Sequence, residues 1–262
     1  AIGPASAVLD LAGGPGDLAL QLAAHSSQVT LMDWSRGFLQ SARRRARALG
    51  RPLQTVHESC NRLVHDDGSY DVLTVCQALH WLDDVAVCRG AARVLGAGGH
   101  FFVVHSAFDV PDTHPLAHVL GPDSVLGRKP RRAFAREVQA LHDRVALLFK
   151  ALDTPAVERV DPTQREHALQ PLASAGAALY RQQRVLSLGF LRGLLTPRHL
   201  EAAGLDTDAF WADAQARCAA ATPAQLMGRH DWALLHFRRG ARGAPTRLSA
   251  CPVLDIGCAA LG

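Results

Sequence analysis

The feature that most constrains this chain is a glycine-rich segment directly after its first apolar run. Val8–Ala12 is short and apolar, and Gly13, Gly14 and Gly16 follow it, with a helical pattern beginning at Leu18. Glycines leave room for the backbone to turn sharply and to approach a ligand closely. A strand, a glycine turn and a helix in this order predict a ligand-binding corner of an α/β sheet.

Strand and helix patterns alternate through the first 105 residues. Between the strand-like runs, apolar residues recur at helical spacing, as in Phe38–Leu49 and Asp83–Leu95. The later strand-like runs are Val29–Met32, Gln54–His57, Tyr70–Cys76 and His100–His105. Strands that alternate with helices predict a parallel sheet with right-handed crossovers. The glycines of 96–99 are expected to end the helix before the fifth strand.

The second half of the chain departs from this alternation. Residues 107–132 are rich in proline, and apolar residues over Phe134–Leu152 then mark one face of a long helix. We expect this stretch to form a helical cap over the carboxyl edge of the sheet. Later strands are predicted at Val157–Val160, Gln183–Leu188 and Trp232–Phe237, and helices at Leu188–Leu195 and Ala209–Ala221. The expected division is a core over 1–106, a cap insertion over 107–156, the end of the sheet with further helices over 157–240, and a tail over 241–262.

Composition and charge argue against several classes of protein. Charged residues make up 20% of the chain and the net charge is +4, well short of the basic balance of a dedicated nucleic-acid binder. No apolar run approaches the roughly 20 residues that span a bilayer, and no signal-peptide pattern is visible. The six cysteines show neither a CxxC pair nor zinc-ligand spacing, so no metal site is predicted. Buried free thiols favour a reducing, cytoplasmic location.

An acidic residue beside the glycines distinguishes between two kinds of ligand. Asp10 precedes the glycines, where a carboxylate would repel a pyrophosphate but can orient the loop or bind a ligand ammonium through water. The glycine spacing also differs from G-x-G-x-x-G. Both details favour the amino-acid part of S-adenosylmethionine over a dinucleotide. Asp33 ends the second strand and can take both ribose hydroxyls, with Trp34 packing on adenine, although an acid at this point is shared with NAD binders.

Four segments taken together resemble the ordered motifs of class I S-adenosylmethionine-dependent methyltransferases. They are VLDLAGGPG, VTLMD, DDGSYDVLTVCQALHWLDD and AARVLGAGGHFFVV. The segment CQALHWLD with RVLGAGG is similar to the subgroup around trans-aconitate methyltransferase. The resemblance implies an α/β fold: a Rossmann-like, doubly wound, mostly parallel sheet with a helical cap insertion and an antiparallel final strand. It also implies methyl transfer from S-adenosylmethionine to a small molecule with a carboxylate or hydroxyl acceptor.

The resemblance also assigns cofactor-binding residues. Those implied on the methionine side are Asp10, Ala12, Gly13, Gly14 and Gly16, together with the backbone of Cys76 and Gln77. Those implied on the adenosine side are Asp33, Trp34, Ser59 and Cys60. Ala12 stands where the family usually has glycine, and the acid that the family often has near Ser59 is missing, although Glu58 is adjacent.

Three residues are candidates for contact with the transferred methyl group and the acceptor. His80 and Trp81 follow the fourth strand, and His105 ends the fifth. Because methyl transfer is an in-line displacement, an enzyme mainly positions the acceptor and excludes water. A carboxylate acceptor needs no strong base, whereas a hydroxyl or amine could give its proton to His80 or His105. Further candidates, for binding an anionic acceptor, are Arg181, Arg184 and Arg192.

Three other hypotheses stay open at this point. A non-enzymatic relative, kept for binding or for pairing with an active partner, is indicated by the missing acid and by the lack of a lid helix before the glycine loop. A nicotinamide-dependent oxidoreductase would use a similar sheet, but Asp10 and the glycine spacing count against it. RNA methylation is a weaker variant, because aromatic residues make up only 6% of the chain and no nucleic-acid module is visible.

The end of the chain carries one more signal. Cys251–Cys258 resembles the start of a second cofactor motif, which predicts either a fragment of a tandem protein or a coincidence. The oligomeric state is not specified by the sequence.

Overall fold

A computed structural model describes residues 2–120, 131–151, 157–159, 178–195 and 197–239. Its strands are β1 (Ala7–Leu11), β2 (Gln28–Asp33), β3 (Gln54–His57), β4 (Tyr70–Cys76), β5 (Leu95–Asp109), β6 (Val157–Arg159), β7 (Ala178–Val185) and β8 (Met227–Arg239). Its helices are α1 (Asp17–Leu22), α2 (Arg36–Ala48), α3 (Asp84–Val94), α4 (Ala117–Leu120), α5 (Arg131–Ala151), α6 (Leu188–Leu194), α7 (Pro197–Ala202) and α8 (Thr207–Ala219). A short 3₁₀ helix spans Leu79–Trp81.

The strands form one mixed sheet in the order β3-β2-β1-β4-β5-β8-β6, and β7 also pairs with β8. The first five strands are parallel to one another, whereas β8 is antiparallel to β5. The strand order reverses direction at β1, where the glycine loop lies. The predicted fold class is therefore confirmed: a doubly wound, mostly parallel sheet with an antiparallel final strand.

Alternation of side chains gives the sheet two distinct faces. The face covered by α1 and α2 contains Val8, Val29, Val72 and Phe102. The opposite face, covered by α3 and α5, contains Leu9, Leu73, Phe101 and Val103. We call these the α1/α2 face and the α3/α5 face, because they decide which side chains can meet at the edge of the sheet.

The long helix α5 covers the α3/α5 face of the sheet. Phe134, Val138, Val145 and Phe149 belong to the same buried cluster as the strands. The ring of Phe149 meets that of Phe101 on β5 at 5.9 Å between centroids. The sequence prediction that this helix caps the carboxyl edge was wrong, since an apolar stripe alone does not say whether a helix covers a face or an edge.

A second, smaller apolar cluster lies beyond the carboxyl end of β5. It is built from α4 and α6–α8, and its buried members include Val110, Leu116, Leu186, Leu191 and Phe210. Asp206 caps the amino end of α8 by accepting the Ala209 N–H at 2.8 Å. The helical cap of this fold therefore combines the predicted insertion, through α4, with helices that the sequence placed later.

The glycines of 96–99 lie within β5, directly after the preceding helix ends at Val94. Leu95 already pairs with Tyr70 of β4, and the register then jumps so that His100 pairs with Val72. Gly98 has φ +77°, and a Cβ on Gly99 would lie 2.9 Å from the Gly96 carbonyl oxygen. The glycines thus form a bulge that only residues without side chains can make.

Four of the six cysteines lie within the described ranges. Cys60, Cys88 and Cys218 are buried free thiols and Cys76 is half-buried, whereas Cys251 and Cys258 lie outside the described ranges. Burial raises the pKa of the Cys88 thiol to about 12. No helix within the described ranges is both long and apolar enough to cross a membrane.

Candidate functional site

The glycine loop joins β1 to α1 in a conformation that needs small residues. Gly14 and Gly16 have φ values of +57° and +86°, and Ala12 has φ +54°. A Cβ on Gly14 would meet nothing within 4 Å, whereas one on Gly13 would lie 2.3 Å from Asp10 Oδ2. The loop is therefore open on the side of Gly14 and tightly packed beneath Gly13.

Asp33, at the end of β2, holds this loop in place. Its Oδ2 accepts the Gly14 N–H at 3.0 Å, and its Oδ1 accepts the Ser35 N–H at 2.8 Å. The side chain is buried, with 4% of its surface exposed. Each carboxylate oxygen has a second lone pair, so both can still accept a ligand hydroxyl.

Asp10 supports the loop from below. Its Oδ1 accepts the Thr74 hydroxyl of β4 at 2.7 Å, while the buried Oδ2 has no hydrogen-bond partner at normal distance. Complete burial raises the Asp10 pKa to about 7, against a smaller lowering by the Thr74 hydroxyl and the Ala19 N–H. Of the two roles that the sequence allowed, this burial favours orienting the loop over contacting a ligand.

Arg45, one of a run of arginines along α2, also fixes the loop. Arg45 of α2 donates to the Pro15 carbonyl oxygen at 3.0 Å and pairs with Asp17 at 2.6 Å. The other arginines of its run lie at different angles on α2. Only the packing of α2 against α1 shows which member of the run reaches the loop.

Replacing Ala12 with glycine should relieve strain at the start of the loop. A side chain in the left-handed region costs roughly 1–2 kcal/mol of folding free energy, and glycine avoids this cost. Glycine also makes the unfolded chain more flexible, which offsets up to about 1 kcal/mol of that gain. We expect Ala12→Gly to leave the free energy of unfolding unchanged or raised. Ala216→Gly, on the exposed side of α8, should lower it by about 1 kcal/mol. If urea denaturation showed the same loss of unfolding free energy in both variants, Ala12 would not be strained.

Two tryptophans flank the loop at the carboxyl edge of the sheet. Trp34, after β2, is 73% exposed, and Trp81, after β4, is 76% exposed. His57 Nε2 lies 2.8 Å from the Trp34 carbonyl oxygen, so its N–H can fix that turn. Large aromatic surfaces left open beside a glycine loop are suited to packing against a ligand.

The two residues predicted beside adenine differ in accessibility. Ser59 is exposed and its N–H donates to the Glu58 carboxylate at 3.0 Å. Cys60 is buried, with its Sγ 3.8 Å from the Met32 carbonyl oxygen, and burial raises its pKa to about 11. A ligand contact from Cys60 is therefore limited to its backbone.

The three predicted catalytic residues lie together, but on the α3/α5 side of the edge. The ring centroid of His80 is 5.0 Å from that of Trp81 and 6.3 Å from that of His105. His105 also stacks on Phe134 of α5 at 5.6 Å. Asp10 and its partner Thr74 are on the opposite, α1/α2 face, so the site spans both sides of the sheet edge.

A polar group on the α1/α2 face was missed by sequence reasoning. Gln77, which has φ +55° after β4, donates through Nε2 to the Ser106 hydroxyl of β5. His230 Nε2 of β8 lies 2.9 Å from the same hydroxyl oxygen. Gln77 was predicted to contribute only backbone, and neither Ser106 nor His230 has a motif of its own.

The cation candidates for an anionic acceptor are only partly described. Arg192 is exposed and its guanidinium lies 5.1 Å from the centre of the Trp211 ring. The side chains of Arg181 and Arg184 fall outside the described set. Their role stays a prediction.

The site lies at the edge where open α/β sheets bind ligands, although one cavity lies at the other edge. A cavity of about 410 Å³ opens at the opposite, amino edge, beside Ala7, Gln28, Gln54 and Tyr70. Ligands of doubly wound sheets bind outside the carboxyl ends of the strands, near the point where strand order reverses. The residues at that edge, and not cavity size, therefore locate the site. Within the described ranges, no cluster of three or more His, Cys, Asp or Glu side chains could hold a metal ion.

The residues present fit S-adenosylmethionine. The space at Gly14 admits a ligand against the backbone, and Asp33 retains acceptor capacity beside it. The exposed Trp34 offers an aromatic face on the adenine side. The unpartnered Asp10 Oδ2 places negative charge, when ionised, under a loop that would hold a cationic ligand.

In the first part of the chain, the sequence is similar to known methyltransferases. Residues 8–99 match the family described as a methyltransferase domain. YqeM of Bacillus subtilis (strain 168), which carries the name of a methyltransferase, is 25% identical over 187 residues, 66% of this chain and 74% of YqeM. The ubiquinone biosynthesis O-methyltransferase of Yersinia pestis (strain Pestoides F) is 37% identical over 97 residues, 36% of this chain and 40% of that protein.

A third relative and one solved structure complete the comparison. The ubiquinone/menaquinone biosynthesis C-methyltransferase UbiE of Zymomonas mobilis is 30% identical over 99 residues. The chain spans about two fifths of the length of both ubiquinone-related enzymes, with 40% covered in each. The solved structure of BH2331 from Bacillus halodurans C-125 has a TM-score of 0.52 at 16% identity over 92% of this chain and 95% of that one, which shows the shared fold. Residues 8–99 therefore match a methyltransferase domain, and the chain carries them on a sheet with the fold of BH2331.

Proposed function

We propose that this chain is an S-adenosylmethionine-dependent methyltransferase that acts on a small molecule with a carboxylate or hydroxyl acceptor. The observation that carries the proposal is the loop geometry: Asp33 holds Gly14 at an open position, and Asp10 is sealed beneath Gly13. The resemblance of the segment after β4 to the trans-aconitate subgroup supports a small acceptor. The cap of α4 and α6–α8 beside this edge would select it.

The residues of the chain have separate tasks in this reaction. When bound, S-adenosylmethionine supplies a methyl group on a positively charged sulfur. Asp33 would bind the ribose hydroxyls, the loop from Ala12 to Gly16 would hold the methionine end, and Trp34 would cover adenine. Positioning the acceptor and excluding water are the remaining requirements, and they lower the barrier without any strong acid or base.

Calorimetric titration of the chain with S-adenosylmethionine tests the proposal. S-adenosylhomocysteine and NAD serve as comparisons. We expect both adenosyl ligands to bind with micromolar affinity and NAD not to bind. Failure of both to bind would reject the function. Binding without turnover on a broad panel of acceptors would favour a non-enzymatic relative.

Removing the Asp33 carboxylate should weaken this binding. Asp33→Ala loses the acceptor of the Gly14 N–H and the proposed ribose contacts, and hydrogen bonds to charged groups are each worth about 1.5–3 kcal/mol. We expect the dissociation constant for S-adenosylhomocysteine to rise at least about tenfold. Asp213→Ala is the matched control, since that carboxylate on α8 is exposed and paired at the surface with Arg217. Equal affinity of the two variants would remove the Asp33 assignment.

A further inference from the structure

We propose that Ser106 and His230, positioned by Gln77, form the acceptor subsite, and that the acceptor is a hydroxyl group on a planar ring. This inference rests on the proposed function and names the chemistry of its second substrate. It also moves the proton-accepting role away from His80 and His105.

The register of three strands places this pair on the loop side of the sheet. Thr74 pairs with Phe102, Cys76 with Val104, and both β4 residues share a face with Asp10. Two residues further along β5, Ser106 is on the same face by alternation. Ser106 pairs with Trp232 of β8, and His230 follows on that face by the same alternation. A line of side chains thus runs from the glycine loop across the edge to His230.

His105 is separated from this line by the sheet itself. Its neighbours Phe101 and Val103 belong to the cluster under α3 and α5, and its own ring stacks on Phe134. A ligand held by the glycine loop would reach Ser106 along one face. It would have to pass around the end of β5 to reach His105.

The subsite is arranged as a proton relay. The Ser106 hydroxyl accepts from Gln77 Nε2, and His230 Nε2 lies 2.9 Å from the same oxygen. The relay uses the His230 tautomer that carries its proton on Nδ1, in which the Ser106 hydroxyl donates to Nε2. Ser106 and Gln77 are half-buried, while His230 is 4% exposed, so a ligand can reach Ser106 and Gln77 but not the imidazole behind them. This imidazole accepts a proton without facing water.

The proton step balances within the chain and the acceptor. The O–H bond of the acceptor breaks and its electron pair stays on the acceptor oxygen, which becomes the nucleophile. That proton moves to Ser106 Oγ as the Ser106 proton moves to His230 Nε2, leaving a neutral serine and an imidazolium. A carboxylate acceptor, already ionised, would have no use for this relay.

Aromatic side chains beside the relay indicate a flat acceptor. The rings of His230 and Trp232 lie 4.2 Å apart, and Tyr180 of β7 is paired with Trp232 in the register. Both Trp232 and Tyr180 are half-buried. Among side chains described on this face, the groups next to Ser106 are neutral and polar or aromatic, whereas the cation Arg229 pairs with Asp231 on the other face. These neutral and aromatic groups suit a planar ring.

The test uses 4-hydroxybenzoate, which offers a ring hydroxyl and a carboxylate in one molecule. With the full chain and S-adenosylmethionine, we expect the methyl ether and not the methyl ester. Turnover should rise with pH as the relay histidine becomes neutral and able to accept the proton. His230→Gln should lose that rise and fall at least about 100-fold, because general-base catalysis contributes roughly 10²–10⁴-fold. His100→Gln, a histidine at the other end of the same strand pair, should keep the pH profile.

A binding readout covers the case in which this probe is not turned over. Long-range ¹⁵N NMR of the His230 ring is recorded in chain saturated with S-adenosylhomocysteine, with and without 4-hydroxybenzoate. A probe-induced shift that Ser106→Ala abolishes supports the subsite. Absence of any shift, formation of the ester, or loss of the pH rise in His105→Gln in place of His230→Gln would overturn it. Failure of S-adenosylhomocysteine itself to bind rejects the proposed function, which is a separate result.

Discussion

Gly13→Ala is expected to disrupt both cofactor binding and stability, although it adds only one methyl group. The new Cβ would lie 2.3 Å from Asp10 Oδ2 and 2.4 Å from Leu31 Cδ1. Both neighbours are fully buried, with 0% of their surfaces exposed, so neither can move into solvent. Overpacking of this kind costs about 1–3 kcal/mol of unfolding free energy. We also expect the dissociation constant for S-adenosylhomocysteine to rise at least about tenfold, because the loop must shift to admit the methyl group.

Two variants separate this collision from a general effect of alanine. Gly37→Ala, on α2, meets only Ser35 Oγ at 3.9 Å and should be neutral or stabilising. When Asp10 is already alanine, Gly13→Ala should lower the free energy of unfolding by a smaller amount, because one of the two colliding atoms is gone. Denaturant unfolding and calorimetry on the same samples measure both effects. Full additivity of Asp10→Ala and Gly13→Ala would show that the two side chains do not meet.

The strands near the glycine loop could be predicted because each is a local signal. Gln54–His57 and Tyr70–Cys76 have the predicted bounds, since apolar and β-branched runs end at turn residues there. β8 was predicted only over its apolar centre, Trp232–Phe237, but spans Met227–Arg239. Its polar ends are stabilised by pairing with β5, which a window of sequence does not contain.

The same limit explains which site residues were found. Asp10 and Asp33 each follow an apolar run, so their position at the carboxyl edge could be inferred from the chain alone. Ser106 and His230 are 124 residues apart and meet only through the β5–β8 register. A usable signal was the alternation of His230, Trp232 and Leu234 along one face, but it predicts a contact only once the partner strand is known.

Asp10 makes the stability of this protein depend on pH in an unusual direction for a carboxylate. Burial raises its pKa from 3.8 to about 7 in the folded chain, while the unfolded chain keeps the ordinary value. The folded state therefore binds the proton more tightly. The stabilising contribution is complete below about pH 3.8 and is lost as pH rises through about 7.

Asp10→Asn should remove this loss, because the amide keeps the shape and an acceptor for the Thr74 hydroxyl but does not ionise. Linkage with the two pKa values predicts that the variant gains about 2–3 kcal/mol relative to the natural chain between pH 5 and pH 8. Urea denaturation at both pH values measures the difference, with the exposed Asp112→Asn as control. A constant difference between the chains would mean that Asp10 is ionised throughout.

A cationic ligand above the loop should favour the charged form of Asp10. We therefore expect binding of S-adenosylmethionine at pH 6 to release a proton, which calorimetry detects as a dependence of the binding heat on the buffer. Asp10→Asn should abolish that release.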